Sequence, residues 1–140
     1  MEKVNPVDLR AKYPHTSPAV LTETPVFGLG YRSPWILGNE VQARVAAKFN
    51  LNIMLAQQSA REIERTGRSF QAVIDSATVS AFAADLRRPW GADGDHLRNV
   101  EEVTAAANAG CTHFTYDVSH ELSISLDAVV ARLRELFQVT

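Results

Sequence analysis

The densest group of polar residues in the sequence is the stretch Gly91–Leu97, which contains two aspartates and a histidine. Within this stretch, Asp95 and His96 place a carboxylate and an imidazole at neighbouring positions. Such a pair suits a divalent metal such as zinc or manganese, and either group can transfer a proton near neutral pH. The alternative is a glycine-rich turn whose aspartates cap the helix predicted after Asn99. The residue types leave both interpretations open.

A second polar group lies in the stretch Cys111–Val118, which predicts a strand. Alternate residues of a strand point to the same face, so His113, Thr115, Asp117 and Ser119 share one face. Polar side chains on a buried parallel strand are costly unless they line a hydrated site. This stretch is therefore either part of a site or an edge strand with one solvated face.

Two glutamines, Gln57 and Gln58, follow the apolar run Ile53–Ala56. Each side-chain amide both donates and accepts hydrogen bonds, so glutamines at a strand end can bind sugar hydroxyls. The alternative is that both are surface residues at the start of a helix.

These candidate residues need a scaffold, and the hydrophobic pattern predicts alternating strands and helices. Strands are predicted at Pro25–Gly30, Leu51–Ala56 and Cys111–Val118, and the short stretch Trp90–Leu97 lies between two helices. Helices are predicted at Asn39–Phe49, from Ser59 to Gly67, from Ser69 to before Pro89, from Asn99 to Gly110 and at Ser125–Phe137. This alternation is typical of βα units and a parallel sheet, in which ligands bind at the C-terminal ends of the strands.

The domain organisation follows from where this pattern begins. Residues 1–23 contain Pro6, Pro14 and Pro18 and show no clean hydrophobic period, which predicts an irregular N-terminal arm. Residues 24–140 form about four βα units, which predicts one α/β domain.

The overall composition excludes several classes of function. The chain has 14 basic and 16 acidic residues, a balance that does not indicate binding to nucleic acid or to an anionic membrane surface. Cys111 is the single cysteine, so an intrachain disulfide and a cysteine zinc cluster are excluded. Neither a signal-peptide core near the start nor an apolar run long enough to span a membrane is present, so the expected compartment is the cytoplasm.

Three stretches together resemble the tagaturonate epimerase family. They are Ala56–Arg68, Trp90–Leu97 and Ala109–Asp117, in the same order as in that family. The resemblance implies a metal-dependent β/α barrel that interconverts tagaturonate and fructuronate by inversion at C4.

The resemblance also implies a role for individual residues. Asp95 matches the acid–base position, and His96 matches the first ligand of a divalent metal such as zinc, manganese, cobalt or nickel. Gln57, Gln58 and Asp117 match positions that line the sugar-acid pocket.

The family's chains are longer, so the resemblance implies the N-terminal part of a (β/α) TIM-like barrel. In those chains the remaining metal ligands and the proton donor come from later strands. A closed barrel needs eight units and about 250 residues. We therefore expect a truncated epimerase-like protein that a second copy or a complementing subunit completes. The alternative is a non-catalytic remnant, or an oligomerising or sugar-acid-binding module of the same fold.

Overall fold

The computed structural model describes residues 4–30 and 37–119, together with Ser125 and Asp127. The helices are α1 (Pro6–Lys12), a 3-10 helix (Pro14–Thr16), α2 (Leu37–Phe49), α3 (Ala60–Thr66), α4 (Phe70–Ala83) and α5 (Val100–Ala109). The strands are β1 (Val26–Gly28), β2 (Asn52–Ser59), β3 (Trp90–Leu97) and β4 (His113–Tyr116). The helix predicted at Ser125–Phe137 lies almost entirely outside the described residues. None of the helices in the described part of the chain is long and apolar enough to cross a membrane.

The four strands form one parallel sheet in the order β1-β2-β3-β4. Each strand is therefore added beside the previous one, as in a β/α barrel, whereas the strand order of a doubly wound sheet reverses at a switch point. At least one helix separates each pair of consecutive strands. The predicted α/β fold with short parallel strands is confirmed.

One face of the sheet packs against α2 and α4, and this layer contains the main core. Its largest buried side chains are Trp90, Ile53 and Leu55, each at most 1% exposed. Burial of such a side chain contributes about 1.5–3 kcal/mol. A smaller cluster of Phe70, Leu97 and Ala106 joins α5 to the end of β3. These two clusters hold the helices against the sheet and leave its other face to the polar residues described below.

Short-range sequence signals set the ends of α3 as predicted. The Ser59 hydroxyl accepts a hydrogen bond from the Glu62 amide at 3.2 Å, and the Glu62 carboxylate accepts one from the Ser59 amide at 3.3 Å. This reciprocal capping box satisfies two backbone donors at the start of the helix. Gly67 ends the helix with φ 62°, a conformation that glycine adopts without steric cost.

The predicted ends of the later helices are confirmed in the same way. The Ser69 hydroxyl accepts from the Ala72 amide at 3.1 Å, and the Asn99 side chain accepts from the Glu102 amide at 2.8 Å. Gly110 ends α5 with φ 93°. The exception is α4, which ends at Ala83, well before Pro89.

The N-terminal arm is more ordered than predicted. The helix α1 begins after Asn5, whose side chain accepts a hydrogen bond from the Val7 amide at 3.0 Å. The Arg10 guanidinium donates to Asp75 at 2.8 Å and to Thr78 at 3.0 Å, which fixes α1 on α4. Leu9 is buried. The expectation of irregular structure is wrong for this helix, because its seven residues, about two turns, are too few to show a hydrophobic period.

The segment after α1 contacts the N-terminal ends of β3 and β4. The Trp90 indole donates to the His15 carbonyl at 3.2 Å, and the Ala19 amide donates to the Trp90 carbonyl at 2.8 Å. The Leu21 amide lies 3.4 Å from Nε2 of His113. This segment therefore occupies the end of the sheet opposite to the C-terminal strand ends. The division of the chain at residue 24 stays a prediction.

The apolar stripe of α2 faces outward. Val41, Val45 and Phe49 are 60%, 44% and 62% exposed, whereas Ala43 and Ala46 are buried. Alanines face inward because α2 and α4 pack closely on the sheet. No described element covers the larger side chains of Val41, Val45 and Phe49.

Candidate functional site

The polar stretch Gly91–Leu97 is part of the continuous strand β3. The interpretation of this stretch as a glycine-rich turn is therefore wrong, and Asn99 itself supplies the cap of α5. Strand β2 also runs further than predicted, to Ser59, so Gln57 and Gln58 lie within a strand and do not open a helix. Both stretches of candidate residues therefore lie on neighbouring strands of one sheet.

The C-terminal end of β3 is irregular at the residues that the sequence singles out. The pairing of β3 with β4 shifts register between Gly94 and Leu97, and His96 has φ 50°. Positive φ values are uncommon outside glycine and cluster at functional sites. Nδ1 of His96 lies 2.8 Å from Oδ1 of Asp95. The structure thus forms the predicted carboxylate–imidazole pair.

The environment of His96 favours its protonated form. The hydrogen bond that Nδ1–H of His96 donates to Asp95 and the charge of that carboxylate raise the pKa of His96, and the charge of Asp117 adds to this effect. Desolvation and the charge of Arg61 act in the opposite direction. Because Asp95 engages Nδ1, the Nε2 atom is the ring nitrogen that faces away from the carboxylate. The His96 side chain is 54% exposed, so Nε2 is accessible to a ligand.

A cavity of about 100 Å³ lies beside this pair, lined by Arg61, His96, Arg98 and Asp117. Asp117 is held there by its own amide, which donates to the Leu97 carbonyl at 2.7 Å. The structure therefore brings the predicted residue Asp117 to the same strand-end site as the Asp95–His96 pair.

A second polar group lies on the face of the sheet that α2 and α4 do not cover. Oδ2 of Asp93 accepts hydrogen bonds from the Gln57 side chain at 3.2 Å and from the Thr115 hydroxyl at 3.0 Å. Oδ1 of Asp93 has no hydrogen-bond partner within the described residues. A Cβ at Gly28 would lie 2.5 Å from Oε1 of Gln57, so this carboxamide needs the glycine on β1. We name Gln57, Asp93 and Thr115 the inner polar layer.

Asp93 is a site residue that sequence reasoning missed. It is 7% exposed and links β2, β3 and β4 through the inner polar layer. The sequence feature that indicates Asp93 is its spacing from Asp95, since residues two apart on a strand point to the same face. This spacing is informative only when Trp90–Leu97 is recognised as a strand.

The structure does not bring Gln58 to this group. Gln58 pairs with Gly94, whose missing Cβ would face Ala106 of α5 at 2.8 Å. Gln58 is therefore on the helix-covered face, opposite to Gln57, and it is 1% exposed. Neither polar atom of its carboxamide has a hydrogen-bond partner among the residues that the structure describes.

The contact between Asp95 and His96 is one that metal-ligating histidines commonly make. A ligating histidine commonly donates its other ring nitrogen to a carboxylate, and the Asp95–His96 contact has this arrangement. A zinc site takes three or four protein ligands, yet residues 4–30 and 37–119 contain no cluster of three or more candidate ligands. The described residues thus offer one candidate ligand, His96, and do not form a complete metal site.

The fold and the strand-end site are those of a partial β/α barrel with an acid–imidazole pair. A sequence profile described as tagaturonate epimerase matches residues 1–138. A tagaturonate/fructuronate epimerase of Thermotoga maritima is 38% identical over 113 residues, which cover 79% of this chain and 23% of that protein.

Solved structures agree with this match. The native crystal structure of fructuronate-tagaturonate epimerase from Cohnella laeviribosi is 32% identical, with a TM-score of 0.76 over 94% of this chain and 28% of that chain. A glycerol complex of the same enzyme gives a TM-score of 0.75 at 32% identity, over 94% of this chain and 27% of that chain. The chain belongs to the tagaturonate epimerase family. It spans about a quarter of the length of these relatives, and the predicted partial TIM-like barrel is confirmed.

Proposed function

We propose that this chain supplies the β2–β4 portion of a sugar-acid epimerase site that interconverts tagaturonate and fructuronate at C4. The observation that carries the proposal is the Asp95–His96 pair at the C-terminal end of β3, in a chain of the epimerase family. Ligands of β/α barrels bind at this end of the strands.

Each residue takes a role that its environment supports. Asp95 is the acid–base group, because its carboxylate is 19% exposed and contacts His96 through Oδ1, which leaves Oδ2 to exchange a proton with the substrate. Gln57 and Asp117 bind sugar hydroxyls from β2 and from the end of β4. Gln58 is left out of this set, since its carboxamide faces the helices.

His96 is the proposed ligand of a divalent cation, whose identity among zinc, manganese, cobalt and nickel is open. Support comes from the Asp95 carboxylate on Nδ1 and from the exposure of the ring. When bound, such an ion polarises a substrate oxygen. The remaining ligands must come from residues outside the described set or from another chain.

Completion by a second copy or a complementing subunit is part of the proposal. The strands β1 and β4 form the two edges of the described sheet. Phe27 on β1 is 49% exposed, and Phe114 and Tyr116 on β4 are 45% and 48% exposed. Unpaired edges with apolar side chains favour pairing with further strands. The proposed compartment is the cytoplasm, with which a lone cysteine is compatible.

The test combines solution mass, metal content per chain and an epimerisation assay with tagaturonate on the purified chain. We expect an assembly that carries bound metal and forms fructuronate, and loss of turnover in Asp95→Asn. The control is Glu101→Gln, which changes an exposed carboxylate in the first turn of α5. A monomer without metal and without turnover would overturn the proposal.

The second candidate is a sugar-acid-binding module without catalysis. The incomplete set of metal ligands among the described residues favours it. Saturable binding of tagaturonate without formation of fructuronate would support this candidate. A melting temperature that rises with tagaturonate concentration measures such binding.

A further inference from the structure

We propose that Arg61 binds the carboxylate group of the sugar acid in the cavity beside His96. This inference rests on the proposed function and adds to it the part of the site that distinguishes an acid from a neutral sugar.

The position of Arg61 is set by the capping box at the end of β2. Ser59 is the last residue of the strand and the N-cap of α3, so Arg61 lies in the first turn of that helix. This turn follows the C-terminal end of β2, next to the end of β3. Arg61 consequently lines the same cavity as His96, Arg98 and Asp117.

Among the described residues that line the cavity, Arg61 is the cation without a hydrogen-bond or ion-pair partner in the described part of the chain. The Arg98 guanidinium donates to the Glu102 carboxylate from Nε at 3.2 Å and from Nη2 at 2.5 Å. Asp95 pairs with His96, and Asp117 accepts from the Ser119 amide at 2.9 Å. Arg61 is exposed and forms no hydrogen bond or ion pair with another described residue. Its charge is therefore available to a ligand.

The chemistry of this side chain selects the ligand class. A guanidinium presents parallel N–H donors that match the two oxygens of a carboxylate. The cavity volume of about 100 Å³ is several times the roughly 10–15 Å³ that one ordered water needs. That volume accommodates a carboxylate group. The rest of a hexuronate must extend beyond the cavity, past the Asp95–His96 pair.

Arg65 provides a matched control one helical turn further along α3. It lines a neighbouring cavity with Ser59, Arg61, Glu62 and Thr66, and it does not line the cavity that contains His96. Arg61 and Arg65 are both exposed arginines of one helix, so replacing either one by glutamine removes the same charge from the chain.

The experiment measures binding by calorimetry with tagaturonate and with tagatose, the neutral ketohexose, on the full chain and on Arg61→Gln and Arg65→Gln. We expect Arg61→Gln to bind tagaturonate about tenfold or more weakly, with unchanged affinity for tagatose. Arg65→Gln should bind both sugars as the unchanged chain does. Melting curves of both variants check that the fold is retained.

Three results would overturn the inference, and they differ in what they mean for the proposed function. If the unchanged chain binds tagaturonate and Arg61→Gln binds it equally well, the carboxylate lies elsewhere and the proposed function stands. If Arg61→Gln loses affinity for both sugars equally, Arg61 does not distinguish the carboxylate, and the proposed function again stands. If the unchanged chain binds neither sugar, the inference and the proposed function fail together.

Discussion

Oδ1 of Asp95 and Nδ1 of His96 lie 2.8 Å apart although the two residues are neighbours on a strand. Successive residues of a regular strand point to opposite faces. The positive φ of His96 and the register shift beside it turn the imidazole back to the carboxylate. The contact is therefore a product of the irregular end of β3.

The first prediction concerns the titration of His96. Since the Asp95 hydrogen bond raises its pKa above the ordinary 6.5, folding favours the protonated ring. Its contribution to stability is present below the ordinary value and is lost as pH rises through the raised pKa. In metal-free protein, NMR should show a midpoint above 6.5 that falls in Asp95→Asn and stays in Glu101→Gln. A midpoint at or below 6.5 in the unchanged chain would contradict the contact.

The second prediction concerns metal binding by His96→Ala. Loss of the proposed ligand should weaken uptake of divalent metal by at least about tenfold, while the metal-free chain stays folded because the side chain is exposed. The control is His15→Ala, whose ring lies at the other end of the sheet. Metal content after dialysis checks this, and equal uptake by both variants would exclude His96 as a ligand.

The third prediction concerns the contact between β3 and α5. A Cβ at Gly94 would lie 2.8 Å from the Cβ of Ala106 and 3.1 Å from Cδ1 of Leu97. Gly94→Ala should reduce the free energy of unfolding by about 1–3 kcal/mol, because α5 must move away from the sheet. Urea unfolding measures the loss.

The matched variant for this contact is Gly94→Ala combined with Ala106→Gly. Removing one methyl where another is added should recover part of the lost stability, beyond the sum of the single changes. Strictly additive effects of the two substitutions would show that the residues do not touch.

The fourth prediction concerns the reactivity of Cys111. Burial raises the pKa of the Cys111 thiol to about 11, and the charge of Asp93 adds to the increase. The thiol form is favoured in the folded chain, so its contribution to stability is present below about pH 9 and is lost as pH rises through about 11. Alkylation of the folded chain should stay slow at pH 9, whereas the urea-unfolded chain should react readily. A reaction plateau already at pH 9 in folded protein would contradict the burial.

Features that depend on neighbouring residues in the chain could be predicted from the sequence. The capping box of Ser59 and Glu62 and the terminal glycines Gly67 and Gly110 are local signals, and all are confirmed. The strand β3 was harder to recognise, because glycine is uncommon in strands. A glycine is needed at position 94 because Ala106, twelve positions further along the chain, occupies the space that a side chain at position 94 would take.

The two glutamines show a different limit of the sequence. Gln57 and Gln58 are adjacent and chemically identical, so residue type alone assigns them to one pocket. The strand places one beside Asp93 and the other beneath the helices. Which of the two faces the site depends on the register shift between Met54 and Ala56, and hydrophobic pattern alone does not reveal it.

The contacts of the N-terminal segment bear on how the protein is made. The Leu21 amide reaches His113 across 92 positions, and the His15 carbonyl reaches Trp90 across 75. During translation at about 5–20 residues per second, His113 is added roughly 5–20 seconds after Leu21. This segment is thus made well before the strands that it contacts, and until they emerge it is exposed to proteases and chaperones.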